Sequence, residues 1–307
     1  MINMNEIAII VTEPDDWTAS SLMDSVKVYG GKPIAVNLST VQCRIDRSST
    51  CSAEEIDIFS MDGIIVRDIG SGTLDEMAFR SDILVQAQEM GIPVINSPES
   101  IQKAANKYYS THLFSKAGLP HPPTRAVQDL DSAMNVVEEF RDCIIKPIFG
   151  YKGMDILRIR NGIIISQDGR TDRSLQIENV MDRIIENRGV VYIQKFIENP
   201  GRDIRCFVVG GSVAGAILRN AQPGSWISNL SQGSIPEKYI PSEHIKEMAC
   251  RAAETIGTVF SGVDIIEGPN GPVILEINAT PSGAGIYRAW GINVSDHIVR
   301  YLFETIK

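Results

Sequence analysis

Short aliphatic runs alternate with longer amphipathic stretches over the first hundred residues. Residues 7–11 (IAIIV) form an unbroken apolar run, the pattern of a strand covered on both faces. Residues 20–29 place Leu22, Met23, Val26 and Val28 at helical spacing and stop at Gly30-Gly31. Residues 33–36, 63–66 and 93–95 are further short apolar runs, and 74–90 is a longer amphipathic segment closed by Gly91. This rhythm predicts a small parallel α/β lobe over residues 1–97, ending at the turn-like Asn96-Ser97-Pro98.

From residue 98 the pattern changes to α+β. Helices are predicted over 101–117, 129–140, 174–188, 241–257 and 293–306. Three antiparallel hairpins lie between them. Their arms are 155–160 and 163–167 around Asn161-Gly162, 204–209 and 213–218 around Gly210-Gly211, and 263–266 and 273–277 around Gly-Pro-Asn-Gly. Single strands are predicted at CIIKPI (143–148) and over 190–197.

Composition narrows the function classes. With 307 residues, about two domains are expected. A hydrophobic share of 43% excludes a disordered chain, which would lack apolar surface to offset ordering entropy. The net charge of −9 does not suit a sequence-independent grip on phosphate backbones, so nucleic acid is not expected as a partner. Five cysteines, an odd number without a C-x-x-C pair, read as reduced thiols in a cytoplasmic protein. The first residues lack a basic n-region, and no apolar stretch reaches the roughly 18 residues of a membrane helix.

The chemistry concentrates in the second region. Asp264 and Glu276 stand on the two arms of one hairpin, and Asn278 shares a strand face with Glu276. Two carboxylates and an amide oxygen suit a hard cation such as Mg²⁺; a solvated polar sheet face is the ordinary alternative. Lys146 sits inside an apolar strand and needs an anionic partner or an exit to water. Lys107 stands on a helix, where a solvated lysine is the default. The loop FGYKGMD, with Gly150, Lys152 and Gly153, has the composition of a phosphate-covering loop. Gln194, Lys195, Phe196 and Ile197 end a strand and can offer backbone groups to an adenine edge, with Asp203 near a ribose. Arg205 and Arg219 lie on two arms of one hairpin, either as anion-holding forks or as arginines shielding a sheet.

Taken in order, Lys107, Lys146 with its glycine loop, Gln194-Lys195-Phe196, Asp203-Ile204-Arg205, Arg219, Asn229, Asp264 and Glu276-Ile277-Asn278 resemble the ATP-grasp carboxylate–amine ligases. The similarity is greatest to their branch of ribosomal-protein and coenzyme glutamate ligases, and it covers about residues 98–300. It implies an ATP-grasp fold (α/β, then α+β) with an N-terminal βαβ lobe over 1–97. A nucleotide-binding subdomain would span about 98–190 and a metal and substrate subdomain about 191–307. It implies ATP contacts from Lys107, Lys146, Gly150, Lys152, Gly153, the hinge Gln194 to Ile197, and Asp203. By the same resemblance, Arg205, Arg219 and Asn229 would take catalytic roles at the phosphates or an acyl phosphate. Two Mg²⁺ (or Mn²⁺) ions would sit on Asp264, Glu276 and Asn278, with Glu276 bridging.

Both ends of the chain, TEPDDW and NATPSGAGIYRAWG, are most similar to archaeal members acting on a reduced pterin coenzyme of the tetrahydromethanopterin type, with L-glutamate as the amine. Arg288 would then hold an acceptor carboxylate, and Trp226, Tyr287 and Trp290 would line its cleft. A homo-oligomer, dimer or tetramer, is implied by the same relatives. Two positions depart from the family pattern. Lys195 occupies a hinge position often held by glutamate, and Ile227 stands where members modifying ribosomal protein often carry arginine. The alternatives are another acceptor (a ribosomal-protein tail, a deazaflavin coenzyme or a carrier protein) or a non-catalytic nucleotide-binding protein. A dinucleotide dehydrogenase is excluded, because no G-x-G-x-x-G follows the first strand.

Overall fold

The aliphatic run after Asn5 forms the middle of a parallel sheet. The computed structural model describes residues 4–150, 155–172, 176–228 and 235–306. Strand β1 (Glu6–Ile10) lies between β2 (Lys32–Val36) and β6 (Gly63–Val66), with β7 (Val94–Ile95) beyond β6. A separate three-stranded antiparallel sheet of β3 (Val41–Ile45), β4 (Ser49–Ala53) and β5 (Ile56–Asp57) is inserted between β2 and β6. Alternation along β1 feeds two cores: Ile7 and Ile9 pack with Leu22 and Val26 of helix α1 (Trp17–Val28), while Ala8 and Ile10 pack with Ile83 and Leu84 of α2 (Leu74–Glu89). Asp16 caps α1, and Thr73 with Glu76 forms a capping box on α2.

The expected helix over 101–117 is two helices, α3 (Pro98–Ala105) and α4 (Lys107–Lys116). Asn106 causes the break: its extended backbone ends α3, and its side chain accepts the Tyr109 amide to cap α4. Lys107 thereby opens a helix at the cleft instead of lying mid-helix.

The next sheet runs β12–β11–β10–β9–β13–β8, from β8 (Thr124–Val127), β9 (Asp142–Lys146), β10 (Leu157–Arg160), β11 (Ile163–Ile165), β12 (Thr171–Asp172) and β13 (Val191–Lys195). Helices α5 (Leu130–Phe140) and α6 (Ile177–Arg188) cover one face through Val137, Phe140 and Met181, which pack on Cys143, Ile145 and Ile193. The third sheet runs β16–β15–β14–β17–β18 and is antiparallel. It comprises β14 (Arg202–Val209), β15 (Ser212–Asn220), β16 (Pro236–Tyr239), β17 (Phe260–Gly268) and β18 (Gly271–Asn278). Helix α7 (Glu243–Ile256) covers one face, and α3 and α4 contribute Ala104 and Phe114 to the same core. Helices α8 (Ala284–Trp290) and α9 (Val294–Thr305) fill the space between the other face and the first lobe.

The three expected hairpins form. At Asn161-Gly162 both residues take the left-handed conformation that a tight two-residue turn requires (φ +49° and +72°). The cysteine reading needs correction. Cys43 and Cys51 face each other across β3 and β4 and are joined by a disulfide, leaving Cys143, Cys206 and Cys250 free. This hairpin alternates weakly and is largely polar, so its pairing is not visible in the residue pattern. Burial pushes the Cys143 and Cys206 thiols up to about 12, which keeps them inert. Among the described residues, no helix is long and apolar enough to cross a membrane.

Phe207 lies where the first lobe, α9 and the third sheet share one core. Phe207→Ala is expected to lower unfolding free energy by about 3–5 kcal/mol in urea titrations. A loss below about 1 kcal/mol would show that this core does not join the lobes.

Candidate active site

Alternation along the third sheet makes one face apolar and divides the other. Ile204, Cys206, Leu218, Val263, Ile265 and Ile277 point to α7. On the opposite face, Asp203, Arg205, Phe207 and Val209 follow one another along β14. The apolar half of this face, with Ile217 and Phe260, is covered by α8, α9 and the first lobe. The charged half, with Arg219, Asp264, Glu276 and Asn278, opens into the cleft below the second sheet. Register brings these residues together, since Asp203 pairs with Arg219, Arg205 with Asp264, and Asp264 with Glu276.

Glu276 reaches this face through a bulge. Asp264 lies opposite Glu276, but Ile265 lies opposite Ile274, so Leu275 is an extra residue in β18. A regular strand would put Ile274 and Glu276 on one face. The bulge lets Ile274 and Ile277 both enter the core while Glu276 and Asn278 turn to the cleft.

The two arginines and two aspartates form one network, buried except at the partly exposed Arg205. Arg205 grips Asp264 through Nε and Nη2 at 2.7 and 2.6 Å. Arg219 grips Asp203 at 2.5 and 2.7 Å and reaches Asp264 at 2.9 Å. Ser228 Oγ donates to Asp203 at 2.6 Å. Burial alone would raise the Asp264 carboxyl, but Arg205 and Arg219 more than offset it and hold it at about 2. For Asp203, burial prevails over Arg219 and the carboxyl is raised. Burial disfavours the Arg219 cation, yet the two carboxylates hold its pKa above the ordinary value.

The opposing wall carries the lysines. Lys146 ends β9 and donates to Gln194 Oε1 at 2.9 Å. Gln194 is buried and held in turn by Thr124 and the Tyr192 hydroxyl. Burial lowers the Lys146 pKa; Glu276 and Asp264 pull it up, and Lys107 pushes it further down. Lys107 Nζ donates to the Gly150 carbonyl at 2.7 Å and stands 4.0 Å from Glu276. Among the described residues Glu276 has otherwise only a 3.5 Å contact from Asn278, so its oxygens are less engaged than those of Asp203 and Asp264. At the far end, Lys195 and Phe196 donate their amides to Pro123 and Asp142, and Ile197 packs against Gly268. Asp142 holds Arg158 by a two-point bond, and Arg158 lies 3.5 Å above the Phe196 ring.

A family model for the RimK-like ATP-grasp domain matches residues 104–302. The chain belongs to the RimK-like ATP-grasp family. It is 43% identical to the tetrahydromethanopterin:alpha-L-glutamate ligase of Methanosarcina acetivorans, over 97% of this chain and 99% of that protein. The protein of the same name from Methanocaldococcus jannaschii is 32% identical over 97% and 98%. Among solved structures, the ATP-grasp ligase PsnB with a phosphomimetic minimal precursor, Mg and ADP superposes with a TM-score of 0.74 at 19% identity, covering 99% of this chain and all of that one. The architecture is therefore an ATP-grasp fold with a parallel α/β lobe before it.

Within this RimK-like fold, the expected positions form three bonded groups: Lys107 with Gly150, Glu276 and Asn278; Lys146 with Gln194; and Asp203, Arg219, Asp264 and Arg205. Strand pairing sets Asp264 beside Glu276, and both carboxylates act on Lys146 across the cleft. Lys152, Gly153 and Asn229 lie outside the described residues. Arg288 is exposed on α8, with its Nε 3.4 Å from Ala284. The three aromatics have different partners: Trp226 bonds Ser166, Tyr287 lies tilted against Trp17, and Trp290 bonds Ala216. Sequence reasoning missed the Asp142–Arg158 pair. Opposite charges on neighbouring strands would have been its signal, but the β9–β10 register is not evident from the pattern. Asp264, Glu276 and Asn278 offer the all-oxygen donors that Mg²⁺ takes, with Glu276 the most available.

Arg219→Leu strips the buried Asp203 of its arginine and takes one of three arginine bonds from Asp264, which keeps Arg205. It is expected to cost about 3–5 kcal/mol in urea unfolding, whereas a surface arginine costs under about 1. Because Asp264 titrates at about 2, below its ordinary 3.8, its stabilisation is present above pH 4 and is lost as pH falls toward 2. Acid titration followed by circular dichroism should show that loss in wild type and a smaller one in Asp264→Asn.

Proposed function

We propose that the protein is an ATP-dependent ligase that joins L-glutamate to a carboxylate of a reduced pterin coenzyme through an acyl phosphate. The observation that carries this reading is the pairing of Glu276 and Asn278 on one wall with Lys107 and Lys146 on the other. The acceptor is supported by the 43% identity over nearly the whole chain to a ligase named for tetrahydromethanopterin and alpha-L-glutamate. Ile227 is buried beside Ser228, so this chain has no arginine there to meet a protein tail.

In the reaction, a carboxylate oxygen of the acceptor attacks the γ-phosphorus of ATP and ADP leaves. The amine of glutamate then attacks the acyl carbon, and phosphate departs. Lys107 and Lys146 hold the phosphates and offset their charge. The Gln194 to Ile197 segment borders the base, with Phe196 fixed beneath Arg158. Arg205 and Arg219, oriented by Asp264 and Asp203, stabilise the transferring group. Asp264, Glu276 and Asn278 would hold Mg²⁺, two ions in this proposal with Mn²⁺ as a substitute, which would supply charge neutralisation at the phosphoryl oxygens. Asp203 lies against Arg219 rather than in open cleft, so its role is to orient that arginine as well as to border a ribose. Arg288 is proposed for the acceptor. A homo-oligomeric, cytoplasmic enzyme completes the proposal.

Incubation with the pterin, glutamate and Mg·ATP is expected to give one glutamyl addition by mass spectrometry. Glutamylation of a deazaflavin or protein tail, with the pterin unchanged, would overturn the acceptor and leave the ligase. Lys146→Met is expected to lower nucleotide affinity while the Tm without nucleotide holds or rises, since a partly buried ammonium is removed. Loss of fold with unchanged ATP binding would assign Lys146 a structural role instead.

A further inference from the structure

Asn96 stands at the turn where the first lobe ends, and its side chain is 1% exposed. Every hydrogen-bonding position of its amide is used. Oδ1 accepts the amides of Val259 and Phe260 at 2.8 and 3.0 Å. Nδ2 donates to the carbonyls of Phe260 and Ala279, both at 2.5 Å. Phe260 opens β17, and Ala279 directly follows Asn278, the last residue of β18. One side chain thus joins the start of the strand bearing Asp264 to the end of the strand bearing Glu276 and Asn278.

The next carbonyl, of Thr280, is held from the first lobe as well. Arg67 Nη1 donates to it at 3.2 Å, and Arg67 is itself fixed on Asp16 through Nε and Nη2 at 2.9 and 3.3 Å. Burial would raise the Asp16 carboxyl, but Arg67 and the amides of Ala19 and Thr18 lower it overall, which keeps the pair charged at neutral pH. The β17–β18 pairing ends at Gly262 opposite Asn278. Beyond that point the two strands no longer hold each other, and Asn96 and Arg67 supply the missing partners.

We propose that Asn96 and Arg67 are positioning residues for Asn278: by holding the two carbonyls that follow it, the first lobe fixes where its amide oxygen meets the metal–nucleotide. The inference rests on the reading of Asn278 as a metal ligand. Groups that orient a ligand in this way typically alter metal affinity by about 10–100-fold. The first lobe is then part of the metal site without touching the metal.

Arg67→Met carries the test, because Asp16 keeps capping α1 without Arg67. Free Mn²⁺ is measured by electron paramagnetic resonance with ADP present, and ADP binding is measured separately in EDTA. Arg67→Met and Asn278→Ala are each expected to weaken Mn²⁺ binding about tenfold or more, leaving metal-free ADP binding unchanged. The double variant is expected to be no weaker than Asn278→Ala, and Arg67→Lys to recover part of the loss. Asn96→Ser is expected to show the same metal-selective loss with a lower Tm. Wild-type Mn²⁺ binding in Arg67→Met beside a weakened Asn278→Ala overturns the positioning role alone. Wild-type binding in Asn278→Ala removes the metal reading, and the proposal with it. Equal losses of Mn²⁺ and metal-free ADP binding would mark a general structural role and overturn it too.

Discussion

Four paired charges, three of them buried, govern what the cleft is able to hold. Asp203, Arg219, Asp264 and Arg205 lie side by side on the third sheet, and burial of any one without its partner would be strongly unfavourable. Antiparallel register solves the problem, because each acid faces an arginine on the adjacent strand. The quartet is neutral as a unit. Among the described residues, Lys107 and Lys146 then face Glu276 across the cleft. That balance suits a polyphosphate accompanied by a divalent cation, with the cation on the acid side and the phosphates on the lysine side.

Two local irregularities make this balance possible. The Leu275 bulge turns Glu276 out of the core without turning Ile274 or Ile277 with it. The Asn106 break starts a new helix at Lys107 and brings its ammonium to within 4.0 Å of Glu276. The rest of the fold keeps the walls apart and in register. Helices α5 and α6 back the lysine wall and α7 backs the acidic wall, so each sheet presents its polar face inward.

Much of this was legible in the residues. The apolar run at β1, the Asn-Gly and Gly-Gly turns, and the twelve-residue separation of Asp264 and Glu276 each carry a local physical signal. The position of Lys146 within an apolar strand was equally plain. What the pattern hid was tertiary. The Asp–Arg quartet needs the register of three strands, and the sequence shows only that arginines and acids recur. The short strands β8, β12 and β16 and the helix α8 are too brief or too polar to show a period. The Cys43–Cys51 bond lies on such a polar hairpin, so counting cysteines misled. Asn96 was marked only as a turn, since nothing local tells that its amide spans two distant strands.

The central claim is that Glu276 and the lysines act on the metal and the phosphates of one nucleotide. Calorimetric titration of ADP with and without Mg²⁺, in wild type and Glu276→Gln, tests it most directly. Wild type is expected to bind ADP more tightly when Mg²⁺ is added, and Glu276→Gln to lose that gain while keeping its metal-free affinity. An equal Mg²⁺ enhancement in both proteins would contradict it.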